Sequence, residues 1–185
     1  MNIAVYSGTF NPLHIGHLAI MEALSERADV DWTLLMISAQ NPFKGEEGRL
    51  TARDRYKAAL EALHRHPSLK VWVDDSELRM PPPSYTIRTL DHLREIMPGC
   101  DFTLVIGADN LEKFRSWKEY QRILTDYGIM VYPREGTDHE REIGKLLSEN
   151  PSFKLQVLDC PKVDISSTYI REALSRGEDV SRFLM

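Results

Sequence analysis

Cysteine is scarce in this 185-residue chain, with Cys100 and Cys160 the only two. That excludes a disulfide scaffold and fits a reducing compartment. No apolar run approaches the ~18 residues of a membrane span, and the first residues lack the basic and long apolar segments of a secretory leader. Surplus positive charge is missing too: 23 Lys and Arg against 28 Asp and Glu leave a formal net charge of −5. This argues against a broad nucleic-acid surface, so any phosphate binding must be local. Two common nucleotide signatures are absent, GxxxxGK[ST] and GxGxxG, and with them a P-loop kinase and a standard NAD dehydrogenase. There are no repeats and no low-complexity tract. What is present is 42% hydrophobic and 28% charged residues with a mean hydropathy of −0.36. These describe a soluble, cytoplasmic single domain over residues 1–185, with enough apolar material for a core. Composition leaves a homo-oligomer open.

Apolar, β-rich runs alternate with helical patterns. Strands are expected at residues 3–6, 33–37, 69–73, 102–106, 128–132 and 155–158. Helices are expected at 17–26, from Thr51 (as N-cap) to about His64, at 86–97, 139–147 and 167–175. In the helix opened by Thr86 the apolar residues Ile87, Leu90, Leu93, Ile96 and Met97 follow the helical period, and Pro98-Gly99 stops it. Met80-Pro81-Pro82-Pro83 reads as a loop. Strands separated by helices of about ten residues imply βαβ units, hence an α/β fold with a Rossmann-like, doubly wound parallel sheet and helices on both faces. Such sheets bind ligands at the carboxyl ends of their strands, where Gly8, Gly107 and Pro133 all fall.

Residues 8–17, GTFNPLHIGH, directly follow the first strand. His14 and His17 stand three apart at the mouth of the first helix, so both imidazoles can serve one spot. The free N–H groups and positive dipole end of that helix would make the spot an anion site. Each part has a plainer explanation: Gly8, Asn11 and Pro12 suit an ordinary turn, and HxxH is half of a zinc site. Zinc fits poorly, because it takes three or four protein ligands, no Cys is near, and Asn11 is a poor substitute for a carboxylate. Near the other end, residues 165–171 read ISSTYIR. One hydroxyl is enough for an N-cap. Ser166, Ser167 and Thr168 with Arg171 on the same face favour a second phosphate cradle.

Together, GTFNPLHIGH and ISSTYIR resemble the nucleotidyltransferase superfamily marked by an HxGH motif (here 14–17) and an ISSTxxR motif (165–171). Its members join a nucleoside triphosphate to a phosphorylated acceptor and release pyrophosphate. Ser84-Tyr85-Thr86 followed by Thr89-Leu90, and Ile106-Gly107-Ala108-Asp109 followed by Trp117, are similar to segments of one branch, the bacterial nicotinate-mononucleotide adenylyltransferases. Arg134 after Pro133 resembles a further basic position of that branch. The resemblance implies ATP and nicotinate mononucleotide as substrates, Mg²⁺ as the counterion of ATP, and no dedicated protein metal site.

By the same resemblance, His14 and His17 serve the α-phosphate with the backbone at Gly8, Thr9 and Phe10. Lys44 reaches a phosphate oxygen, and Ser166, Ser167 and Arg171 hold the leaving pyrophosphate. Gly107 and Asp109 take the adenosine side, and Tyr85, Thr86, Trp117 and Arg134 the acceptor. Trp117 and Tyr85 also read as packing residues, and Asp109 as a helix cap. The chain departs from the pattern in having Asn11 where the family often has Asp, and Phe43 where it often has a histidine. It stops at Phe183-Leu184-Met185, where the family usually continues with a further segment. Two alternatives remain at this point: a sibling enzyme with an acceptor such as phosphopantetheine, and a non-catalytic nucleotide-binding module. SYTIRTL and IGAD with Trp117 weigh against the first. The retention of both phosphate motifs weighs against the second.

Overall fold

The computed structural model describes residues 1–39 and 51–185. Lys44 and the neighbouring Asn41, Pro42 and Phe43 lie outside the described residues. Six strands form one sheet: β1 (Asn2–Gly8), β2 (Trp32–Ile37), β3 (Val71–Asp74), β4 (Asp101–Gly107), β5 (Ile129–Tyr132) and β6 (Leu155–Val157). Every pairing is parallel, in the order β3-β2-β1-β4-β5-β6. This is the doubly wound Rossmann order, whose topological switch point lies between the ends of β1 and β4.

The two-residue period of the strands divides the core. Ile3, Val5, Leu34, Met36, Leu104 and Ile106 pack on one face with Ile87, Leu90 and Leu93 of α4 (Thr86–Ile96) and Leu146 of α7 (His139–Glu149). Their neighbours Ala4, Tyr6, Leu35, Ile37 and Val105 face the other way. They meet Ile20, Met21 and Leu24 of α1 (Ile15–Glu26) and Ala59 and Ala62 of α2 (Ala52–His64). Strands buried on both faces in this way read as nearly continuous apolar runs.

The expected long elements are all present, with shifted ends. α1 begins at Ile15 because His14 is its N-cap. Thr51 caps α2, accepting the N–H of Asp54 at 3.1 Å. β3 starts at Val71 rather than 69, since Leu69 is held in a turn by its N–H bond to the His66 carbonyl. Several short elements had no sequence counterpart: α3 (Ser76–Arg79), α5 (Ala108–Leu111), α6 (Tyr120–Arg122), a π-helical turn at Ile123–Tyr127, and 3-10 turns at Phe114–Ser116 and Ser181–Phe183. Each is too short for a hydrophobic period to register. α8 (Ser167–Ser175) packs through Ile170 and Ala173 in a satellite cluster with Ile15 and Phe183, beside the start of α1. No helix among the described residues is long and apolar enough to cross a membrane.

Leu90 is fully buried between α4 and the sheet. Leu90→Ala should cost about 2–5 kcal/mol in urea unfolding. A loss below about 1 kcal/mol would remove α4 from the core.

Candidate active site

At the switch point the chain leaves β1 through a turn that is tight at every step. A Cβ on Gly8 would come within 2.9 Å of the Phe10 ring. Phe10 itself adopts a left-handed φ of 45°, a conformation costing of order 1–3 kcal/mol for a non-glycine residue. Burial of its ring offsets that cost: it sits edge-on to Tyr6 at 5.2 Å and to His17 at 5.1 Å.

The two histidines come together as stacked rings with centroids 3.7 Å apart. Each also closes the helix end. His14 Nδ1 accepts the Gly16 N–H at 3.1 Å, and His17 Nδ1 accepts the His14 N–H at 3.2 Å. A ring that accepts through Nδ1 carries its neutral-state proton on Nε2, so both rings present an Nε2–H donor. Burial, with the positive charge of Arg134 adding to it, lowers His14 to about 4. Burial, then His14 and Arg134, holds His17 well below the ordinary imidazole range. At this helix start the amides of Gly16, His17 and Leu18 are already spent. Gly16 donates to His14, while His17 and Leu18 donate to the His14 carbonyl at 2.8 and 3.1 Å. Imidazole edges take the place of those helix N–H groups.

The C-terminal motif lies against the same turn. Ser166 caps α8 by accepting the Tyr169 N–H at 3.1 Å. Ser167 donates to the Pro12 carbonyl at 3.1 Å, and Arg171 donates to the Asn11 carbonyl at 2.7 Å and to Thr168 Oγ1 at 3.1 Å. Residues more than 150 positions apart in sequence thus share one locus.

Beside them opens a cavity of about 880 Å³, lined among others by His14, His17, Tyr132, Arg134, Cys160 and Ser166. Arg134, read from the sequence with the acceptor group, stands here with the histidines. Its Nη2 donates to the Tyr132 hydroxyl at 3.3 Å, and its Nε lies 3.6 Å from Asp109 Oδ1. Gly107 closes β4 where any Cβ would run into Asp109 Oδ1 and fall 3.0 Å from the Tyr132 ring. Tyr85 and Thr86 stand at the start of α4, and the Lys118 ammonium sits 4.6 Å from the Tyr85 ring centroid. Trp117, next to Lys118, packs on Phe114 at 5.0 Å. Tyr85, Thr86 and Trp117 are not among the residues lining the 880 Å³ cavity.

Sequence reasoning missed Arg55, Glu77 and Lys118. Arg55 and Glu77 are buried, but an arginine in a helix rich in charge carries no sequence signal that it points inward. Arg55 donates to the carbonyls of Thr9, Ser38 and Ala39 at 2.7, 2.9 and 3.2 Å. Glu77 accepts the Ala39 N–H at 3.2 Å, and burial raises its carboxyl. Among the described residues, no three His, Cys, Asp or Glu side chains converge as metal ligands would.

A cytidylyltransferase-like family model matches residues 5–173. A probable nicotinate-nucleotide adenylyltransferase of Flavobacterium johnsoniae is 36% identical over 184 residues, covering 100% of this chain and 92% of its own length. A protein of the same description from Bacteroides fragilis is 39% identical over 180 residues, covering 97% of this chain and 85% of its own. Among solved structures, the Plasmodium falciparum nicotinic acid mononucleotide adenylyltransferase complexed with NaAD superposes with a TM-score of 0.80. At 18% identity, covering 99% of this chain and 90% of that one, it speaks for the fold. By its matched model and its full-length relatives, the chain belongs to the cytidylyltransferase-like family and, within it, to the nicotinate-nucleotide adenylyltransferases.

Proposed function

We propose that this protein transfers the adenylyl group of ATP to the 5′-phosphate of nicotinate mononucleotide, giving nicotinate adenine dinucleotide and pyrophosphate, in the cytoplasm as a step of NAD biosynthesis. The observation that carries the reading is the stacked pair of neutral histidines, with their Nε2–H donors, on a turn that the ISSTYIR helix grips. The full-length relatives, named for this activity, support the choice of acceptor.

The acceptor phosphate is a monoester with a second pKa of about 6, already anionic near neutral pH. Its oxygen attacks the α-phosphorus of ATP, a new P–O bond forms, and the bond to the β-phosphate breaks to release pyrophosphate. No base is required, which agrees with Asn11 where a carboxylate would otherwise stand. Catalysis reduces to alignment and to charge stabilisation at the transferring phosphorus. His14, His17 and the backbone N–H groups at Thr9 and Phe10 supply donors there, and Lys44 a further charge. Ser166 and Arg171, with the backbone N–H of Ser167 at the start of α8, hold the departing pyrophosphate, the Ser167 hydroxyl being committed to Pro12. Gly107 leaves room for the adenosine beside Asp109, which accepts from a ribose hydroxyl. Tyr85, Thr86 and Trp117 receive the nicotinate side. Arg134, standing over the same cavity as the histidines, serves the phosphate end of the acceptor rather than its ring. Mg²⁺ enters with ATP on phosphate oxygens and water, since it retains its waters and needs few protein ligands.

With ATP, Mg²⁺ and nicotinate mononucleotide, the protein should release pyrophosphate. Turnover with phosphopantetheine instead would overturn the acceptor assignment. His17→Ala should lower kcat by a factor on the order of 10²–10³, while removing the cap costs only about 1 kcal/mol of stability. If unfolding accounts for the whole loss, His17 is structural.

The pH dependence has a definite sign. Imidazoles in the unfolded chain titrate near ~6.5, and folded His14 near about 4. Between those values the unfolded chain binds more protons, so stability is present above the upper value and is lost as pH falls through the interval. Wild type should therefore lose urea stability between about pH 7 and about pH 5 more steeply than His14→Gln. Equal slopes would show that His14 is not held neutral.

A further inference from the structure

Arg55 lies far from the reaction in sequence and carries no motif, yet it is buried at the carboxyl edge of the sheet with its guanidinium on three backbone carbonyls. The shortest of these bonds, 2.7 Å, is to the carbonyl of Thr9. The cis peptides among the described residues are Asn11–Pro12 and Pro82–Pro83, so the Thr9–Phe10 peptide is trans. A planar trans peptide points its N–H opposite to its C=O. Fixing the Thr9 oxygen on Arg55 therefore fixes the Phe10 N–H on the far side of the turn from the guanidinium. Among the described residues, no group accepts a hydrogen bond from that N–H. Phe10 also holds a left-handed φ of 45°, a local strain that persists only when surrounding contacts over-determine it. Its ring, under Gly8 and against Tyr6 and His17, supplies some of those contacts, and the Arg55 bond to the preceding carbonyl is another.

We infer that Arg55 is a positioning residue for the transferase reaction: by holding the Thr9 carbonyl, it aims the Phe10 N–H at the phosphate chain of the nucleotide. The inference rests on the adenylyl-transfer reading. Lysine cannot replace arginine here, because a single ammonium lacks the planar fork that spans three carbonyls. Glu77 shares the buried cluster and faces Arg55 in charge, but it accepts the Ala39 N–H and makes no bond to the Thr9–Phe10 peptide, so it distinguishes aiming from general loosening.

The experiment compares Arg55→Lys with Glu77→Gln. Arg55→Lys should weaken ATP binding, measured by calorimetry, by fivefold or more and lower kcat at least tenfold, with KM for nicotinate mononucleotide within twofold of wild type. Glu77→Gln should stay within twofold on all three. Equal losses in the two variants, or wild-type values in Arg55→Lys, would overturn the inference. A measurement on the wild type removes any dependence on the variants' folding: the Phe10 amide proton should shift downfield in ¹H–¹⁵N spectra when ATP is added. ATP that binds without moving that resonance refutes the aiming role. Wild-type protein that does not bind ATP or release pyrophosphate refutes the underlying adenylyl-transfer reading instead.

Discussion

The backbone of residues 9–12 is gripped by its carbonyls, and the rest of the site depends on that grip. Arg55 from α2 holds the oxygen of Thr9, Arg171 from α8 that of Asn11, and Ser167 that of Pro12, at 2.7, 2.7 and 3.1 Å. A carbonyl dipole facing a phosphate chain would repel it. With these oxygens bound to protein donors, the turn is free to offer donors to an anion. The contacts of Ser167 and Arg171 also bring two distant motifs together.

That arrangement also explains how an acidic protein accommodates a polyphosphate. With a net charge of −5, long-range attraction is not available, and recognition must come from close contacts. The histidines supply Nε2–H donors without carrying charge, because burial disfavours their protonated forms. Burying a neutral donor costs far less than burying an ion. Two of the site's arginines already have partners: Arg134 rests on Tyr132 and near Asp109, and Arg171 is bonded to Asn11 and Thr168.

The long elements were legible because they bury continuous apolar faces. The apolar runs of β1, β2 and β4 divide between the two core layers, and Ile87, Leu90 and Leu93 of α4 join one of them, while Ile96 of the same period stays exposed. Residues 108–127 were not legible as structure, since their segments of three to five residues carry no period. The histidine pair was visible as a spacing. Its chemistry was not, because the Nδ1 atoms are committed to capping bonds that only the folded helix end creates. Arg55 was illegible for a related reason: burial of a guanidinium depends on carbonyls brought to it from two other segments.

By itself, the sequence determined the parallel α/β architecture, through alternating apolar runs and helical periods, and the two motifs that identify the family. Those signals are local, and local periodicity survives without knowledge of contacts. Only the tertiary structure decided which protons the histidines present, which carbonyls are turned away from the site, and that Arg134 stands with the histidines. The carbonyls and Arg134 depend on contacts between residues far apart in the chain, and the histidine protons on capping bonds that exist only once the helix end has folded, so linear spacing carries neither.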